Sequence, residues 1–224
     1  MLVYKYLERQ YLNRFRNEGK LYINTVYNLR SCPHEPIRDT LEGKHRLKIE
    51  PKSKPVVLSS QELKKFYPNI TITQDMPNAL TVMPEAHVTS DFEITNAFVF
   101  CASLVSDRNL NKKWKYNSYF QIKDPYSFAQ IIFNKINERY SSGYYLLEKV
   151  RYGLKEIDIS SKNKSSTLDR YPKTLIDYYF TKPIEFKDEK EFRMIFVPEY
   201  KLEIEPVEIT CPELLRYCRF YHNI

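Results

Sequence analysis

The sequence predicts a single α+β domain, on three observations. Its 224 residues match one large domain at roughly 100–200 residues per domain. Its composition, 42% hydrophobic and 28% charged, is globular, and no apolar run approaches the roughly 20 residues that cross a bilayer. Period-two and helical apolar patterns both occur along it, without internal repeats. The opening MLVYKYLERQ is charged from residue 5 and shows no apolar stretch with a cleavage site, so no secretory leader is read and a cytoplasmic location is expected.

Residues 2–6 read as a strand. Residues 7–18 read as a helix, because Leu7, Tyr11, Leu12 and Phe15 fall at helical spacing before Gly19 stops it. In KLYINT, Leu21, Ile23 and Thr25 face one way and Tyr22 and Asn24 the other, as a strand requires. Pro33, Pro36, Pro51 and Pro55 predict a long loop over 30–58. A short helix over 60–67, a strand over 69–74 and an irregular stretch lead to a strongly apolar strand over 96–105. A strand over 117–122 precedes a helix started by Asp124-Pro125, with Phe128, Ile131, Ile132 and Ile136 on one face. A strand over 144–152, a polar loop over 160–167 and a helix over 168–180 follow. In KEFRMIFV at 190–197, Phe192, Met194 and Phe196 share one face, which sets Glu191 and Arg193 side by side on the other. A strand over 201–210 and a terminal helix over 213–220 complete the expected order.

Glycine excludes more than any other residue. Only Gly19, Gly43, Gly143 and Gly153 occur, and none is spaced for GxGxxG, a P-loop or a GxSxG elbow. Cys32, Cys101, Cys211 and Cys218 form no CxxC pair and the four histidines are scattered, so no metal is expected; Cys32 with His34 cannot complete a tetrahedral set. The net charge of +7 favours polyanions mildly. Basic residues cluster at 44–54, at Arg108, Lys112, Lys113 and Lys115, and at 155–173; the second cluster is interleaved with Trp114, Tyr116, Tyr119 and Phe120. Lys112, Lys113 and Trp114 are therefore candidate contacts to single-stranded nucleic acid, whose bases stack while its phosphates are neutralised. A solvated face over an aromatic core explains the same pattern.

Several segments together resemble a bacterial family of small ADP-ribosyltransferase-like proteins, formerly a domain of unknown function. VYKY at 3–6, GKLYINT at 19–25, RDTLEG at 38–43, FCAS at 100–103, Trp114 with Tyr116, KVRY at 149–152 and TKPIEFKDEKEFR at 181–193 carry the resemblance in order. This chain departs from the family in having Arg38 where Asn is usual, a longer loop before it, and no glycine in the segment after Trp114. The resemblance implies a split, mixed β-sheet with flanking helices that grips NAD as co-substrate, without a glycine-rich loop. It implies that Glu191 is the catalytic carboxylate, and that Lys5, Tyr4, Asn24, Thr25 and Arg193 lie in the NAD-binding cleft. Asn24 and Thr25 point to opposite faces, so at most one lines it. Asp39 and Glu42 either close the cleft or cap a turn.

The chemistry has its own logic. Breaking the nicotinamide–ribose bond builds positive charge on the ribose, which one well-placed carboxylate stabilises. The leading expectation is an NAD-dependent ADP-ribosyltransferase, a toxin or phage-defence effector that modifies RNA or DNA in preference to protein and is held by an antitoxin. No membrane partner is expected. The alternatives are a binding module with a degenerate cleft and, below it, a metal-dependent nuclease using Asp177, Glu185 and Lys187.

Overall fold

The computed structural model describes residues 1–32, 39–40, 42–51, 54–59, 61–62, 79–84, 86–153, 156–158, 175–199 and 203–222. The expected strand over 69–74, most of the helix over 60–67, the loop over 160–167, residues 168–174, His34 and Arg38 lie outside them. In chain order the strands are β1 (Val3–Leu7), β2 (Lys20–Thr25), β3 (Lys44–Ile49), β4 (Val56–Ser59), β5 (Ala79–Val82), β6 (Val88–Glu93), β7 (Phe98–Ser103) and β8 (Ser118–Ile122). They continue with β9 (Ser142–Lys149), β10 (Arg151–Gly153), β11 (Glu156–Asp158), β12 (Thr181–Pro183), β13 (Glu191–Pro198), β14 (Val207–Thr210) and β15 (Cys218–His222). The helices are α1 (Arg9–Glu18), α2 (Val26–Arg30), α3 (Arg108–Trp114), α4 (Pro125–Asn137) and α5 (Leu175–Tyr179), with 3-10 turns at Ile184–Glu189 and Pro212–Tyr217. The fold class is α+β, and the chain divides into two compact units.

The first unit, Met1–Glu42, Thr95–Val150 and Glu185–Ile224, is built on an eight-stranded sheet. β13 runs antiparallel along one edge of β7, from Glu191↔Ser103 to Phe196↔Phe98, and β9 lies beyond it. The other edge of β7 is shared: β2 pairs at Val99 and Phe98, and β1 pairs at Ser103. The sheet thus divides along this edge, β2 leading to β14 and β1 to β8 and β15. All these pairings are antiparallel, whereas a mixed sheet was expected; the parallel ladders, β10 with β12 and β11 with β3, belong to the second unit.

Alternation decides which side chains enter the core. Phe98, Phe100 and Ala102 of β7, Phe120 and Ile122 of β8, and Phe192, Met194 and Phe196 of β13 pack with Leu12 and Phe15 of α1 and Phe128, Ile132 and Ile136 of α4. Burying each such side chain contributes roughly 1.5–3 kcal/mol. α4 starts as the sequence foretells, the Asp124 carboxylate accepting from the backbone of Tyr126 and Ser127 with Pro125 in the first turn. α1 ends at Gly19, which has φ +67°; a Cβ there would meet the Pro212 backbone at 2.6 Å, so both conformation and space demand glycine.

The second unit, Gly43–Ile94 and Arg151–Ile184, corrects the expected loop over 30–58, because β3 and β4 lie in it. In KHRLKI Lys44, Arg46 and Lys48 occupy alternate positions, and two of them face acidic partners in β6: Lys44 pairs with Glu93 and Arg46 with Asp91, while Lys48 pairs with Thr89. Arg46 grips the Asp91 carboxylate at 2.6 and 3.0 Å. β5 and β6 likewise fill the stretch expected to be irregular. The expected terminal helix over 213–220 is a 3-10 turn followed by β15, where Cys218 and Phe220 alternate with Arg219 and Tyr221 along β8. No described helix is long and apolar enough to cross a membrane.

Candidate active site

Glu191 opens β13, and two local features aim it. Lys190 before it adopts φ 44°, a left-handed conformation that turns the chain from the 3-10 helix into the strand at an energetic cost for a non-glycine residue. The end of β7 pins that turn: Ser103 Oγ donates to the Glu189 carbonyl at 2.8 Å and Leu104 N–H to the Lys190 carbonyl at 2.8 Å. Every residue of β13 is buried, so Glu191 and Arg193, forced onto one face by alternation, must satisfy their charges inside the protein.

They do so together with Glu42. Arg193, 0% exposed, donates from Nε to Glu191 Oε1 at 2.6 Å, and from Nη1 and Nη2 to the two oxygens of Glu42 at 2.7 and 2.8 Å. The Glu42 fork is the planar bidentate geometry peculiar to arginine. Burial opposes the guanidinium charge, but the two carboxylates more than reverse this and raise the Arg193 pKa well above its ordinary value. Glu191 is 5% exposed and Glu42 1%. Glu42 is held by its own backbone, its N–H donating to the Asp39 carbonyl at 2.9 Å and its carbonyl accepting from Arg30 Nε at 2.5 Å. Arg30 ends α2 and stacks on Tyr27 at 4.1 Å.

The other expected site residues divide by face. Tyr4 pairs with Ser103, which pairs in turn with Glu191, so Tyr4 shares the Glu191 face two strands away; its hydroxyl accepts from Gln121 Nε2 at 3.1 Å. Lys5 has the opposite parity, shared with Val3 of the core. Its ammonium lies 4.9 Å over the Phe100 ring and donates to the Cys101 carbonyl at 2.9 Å, at the point where β7 lies between its pairings to β2 and β1. Burial pulls the Lys5 pKa down against the charges of Cys101 and Glu191, and the same burial, reinforced by Glu191, drives the Cys101 thiol upward. Asn24 pairs with Val99, on the Arg193 face, and Thr25 with Phe98 of the core. Both work locally: Thr25 Oγ1 caps α2 by accepting from Asn28 N–H, and Asn24 Oδ1 accepts from Asn28 Nδ2 at 2.7 Å.

Lys112 and Lys113 are exposed in the last turn of α3. Trp114 is not presented as a stacking surface: it is 8% exposed and packs edge-on against Tyr6 at 5.3 Å, in a cluster with Leu110. The basic run at 44–54 has acidic neighbours, Lys48 joining Glu50 at 3.0 Å as well, and the run at 155–173 lies almost wholly outside the described residues. Among the described residues, no group of three or more His, Cys, Asp or Glu side chains is placed to hold a metal ion.

Glu42 is the partner that sequence reading leaves undecided between turn and cleft. It is 151 residues from Arg193, and the only signal pointing toward it is the logic that an arginine inside a fully buried strand needs its donors satisfied by partners within the protein. Compared with known proteins, the chain matches no family model, no curated sequence and no solved structure.

Proposed function

We propose that the chain is an NAD-dependent ADP-ribosyltransferase in which Glu191 is the catalytic carboxylate. The observation that carries this reading is a buried glutamate at the head of β13, across β7 from the edge where β2 and β1 diverge, bound by an arginine whose Nη1 and Nη2 grip a second buried glutamate. A carboxylate held by a buried guanidinium keeps one orientation, and electrostatic stabilisation of a ribose gaining positive charge requires a fixed group of that kind. It also offers an acceptor for a ribose hydroxyl. Tyr4 and Asn24 lie on the Glu191 side and fit an NAD-lining role; Arg193 is enclosed and serves Glu191 rather than a phosphate, and Lys5 lies on the other face.

The acceptor proposed is RNA or DNA, in a toxin or defence setting with an antitoxin partner, on the net charge of +7 and the exposed Lys112 and Lys113 in the same unit as Glu191. A second reading, a binding module in which the Glu42–Arg193–Glu191 network only joins strand to turn, is favoured by the 5% exposure of Glu191. Release of nicotinamide from NAD separates the two. The transferase reading predicts turnover that Glu191→Gln lowers by at least a hundredfold; equal rates in wild type and variant contradict it.

A further inference from the structure

We infer that Glu42 is a positioning residue for the proposed reaction, setting both the orientation and the ionisation of Glu191 through the guanidinium they share. This rests on the transferase reading and adds to it a residue from a different part of the chain. Arg193 has three donor directions in these contacts: two end on Glu42 and the third, Nε, on Glu191. A guanidinium is rigid and planar, so clamping its Nη1 and Nη2 fixes the direction of Nε. Arg193 is fully buried on a strand paired on both sides, and the clamp removes the remaining side-chain freedom.

Glu42 is itself seated for this. The Asp39–Glu42 turn and the Arg30 Nε bond hold its backbone, and Arg30 is the last residue of α2, a helix capped by Thr25 and braced by Asn24. Asn24 and Thr25, at the end of β2, therefore reach Glu191 indirectly, by way of α2, Arg30, Glu42 and Arg193. Lys5 of β1, Cys101 of β7 and Arg193 also act electrostatically on Glu191 and are the same in every Glu42 variant; two carboxylates sharing one guanidinium repel each other, so removing the charge of Glu42 makes Glu191 easier to ionise than in the wild type.

The test is nicotinamide release from NAD, as kcat and KM against pH, for wild type, Glu42→Gln, Glu42→Asp and Glu191→Gln, with folding followed by Trp114 fluorescence. Glu42→Gln is expected to lower kcat by tenfold or more, leave KM within twofold, and move the acid limb of the kcat profile to lower pH, because the like charge is gone. Glu42→Asp keeps the charge but withdraws it by one methylene, so kcat falls while the acid limb stays in place. A folded Glu42→Gln variant with wild-type kcat and an unmoved acid limb overturns the inference, even where Glu191→Gln is inactive and the transferase reading stands. Full activity in Glu191→Gln, or no turnover by folded wild type, overturns the transferase reading and this inference with it. If neither Glu42 variant folds, Glu42 is structural and the inference falls.

Discussion

Arg193→Met tests the buried network most severely. The substitution keeps most of the side-chain volume and removes three charge-assisted hydrogen bonds of 2.6–2.8 Å. It leaves two carboxylates, 1% and 5% exposed, without the cation that binds both. Breaking a buried ion pair by deleting one partner costs about 3–5 kcal/mol. In a chain of this length each kcal/mol lowers Tm by roughly 2–4 °C, giving a fall of about 6–20 °C. The protein supplies its own probe, because Trp114 is its one tryptophan and lies buried in the unit that holds the network. Its fluorescence during thermal or urea unfolding reports on that unit. The companion variant, Glu42→Gln with Arg193→Met and Glu191→Gln, removes the buried charges together and is expected to regain at least half of the loss. A loss below about 1 kcal/mol in Arg193→Met, the range of exposed ion pairs, would refute the claim that these carboxylates depend on Arg193 in a water-poor interior.

Three further outcomes are expected. Asp124→Ala removes the cap of α4 and should cost about 1 kcal/mol in urea unfolding; no change in the midpoint would mean that the cap bonds are replaced by water at no cost. Lys190, at φ 44°, should accept glycine with a loss under about 0.5 kcal/mol but lose about 1–2 kcal/mol as valine, since a branched Cβ is strained there; equal melting temperatures for the two variants would show that the turn relaxes. The thiols of Cys211 and Cys218 are pushed by burial up to about 11 and about 12, from 9.0. A raised acid pKa means that the unfolded chain ionises first, so stability is complete below about pH 9 and falls as pH rises toward these values. The loss is on the order of 1 kcal/mol per thiol at pH 10, and a flat stability curve from pH 8 to 10 would contradict it.

Legibility in the sequence followed the strength of local pattern. KLYINT, the Asp124-Pro125 helix start and the alternation in KEFRMIFV specify their elements because one face of each enters the core, and that alternation also places Glu191 beside Arg193. β3 was hidden because Lys44, Arg46 and Lys48 make KHRLKI look like a solvated loop; only the acidic residues of β6, more than 40 positions later, explain why charges alternate in a strand. β15 was hidden by a proline that starts only one 3-10 turn. At the site, Glu191 and Arg193 follow from period two, but Glu42 does not, since its role comes from a contact 151 residues away. Lys5 follows a related logic: adjacency in a strand puts Tyr4 and Lys5 on opposite faces, but only the register with β7 decides that Tyr4 takes the face of Glu191. Trp114 beside two lysines looks the same in sequence whether its ring is bare or buried, and packing against Tyr6 buries it.

The central claim is that Glu191 supports transfer of ADP-ribose from NAD to a macromolecule. The most direct measurement is mass spectrometry of RNA, DNA and protein fractions after incubating the folded chain with isotopically labelled NAD and cell extract, beside Glu191→Gln. The account predicts an added ADP-ribose on the nucleic-acid fraction that disappears in the variant. The absence of both label transfer and nicotinamide release from the folded wild-type chain would contradict it and leave a binding module whose buried glutamates serve the fold.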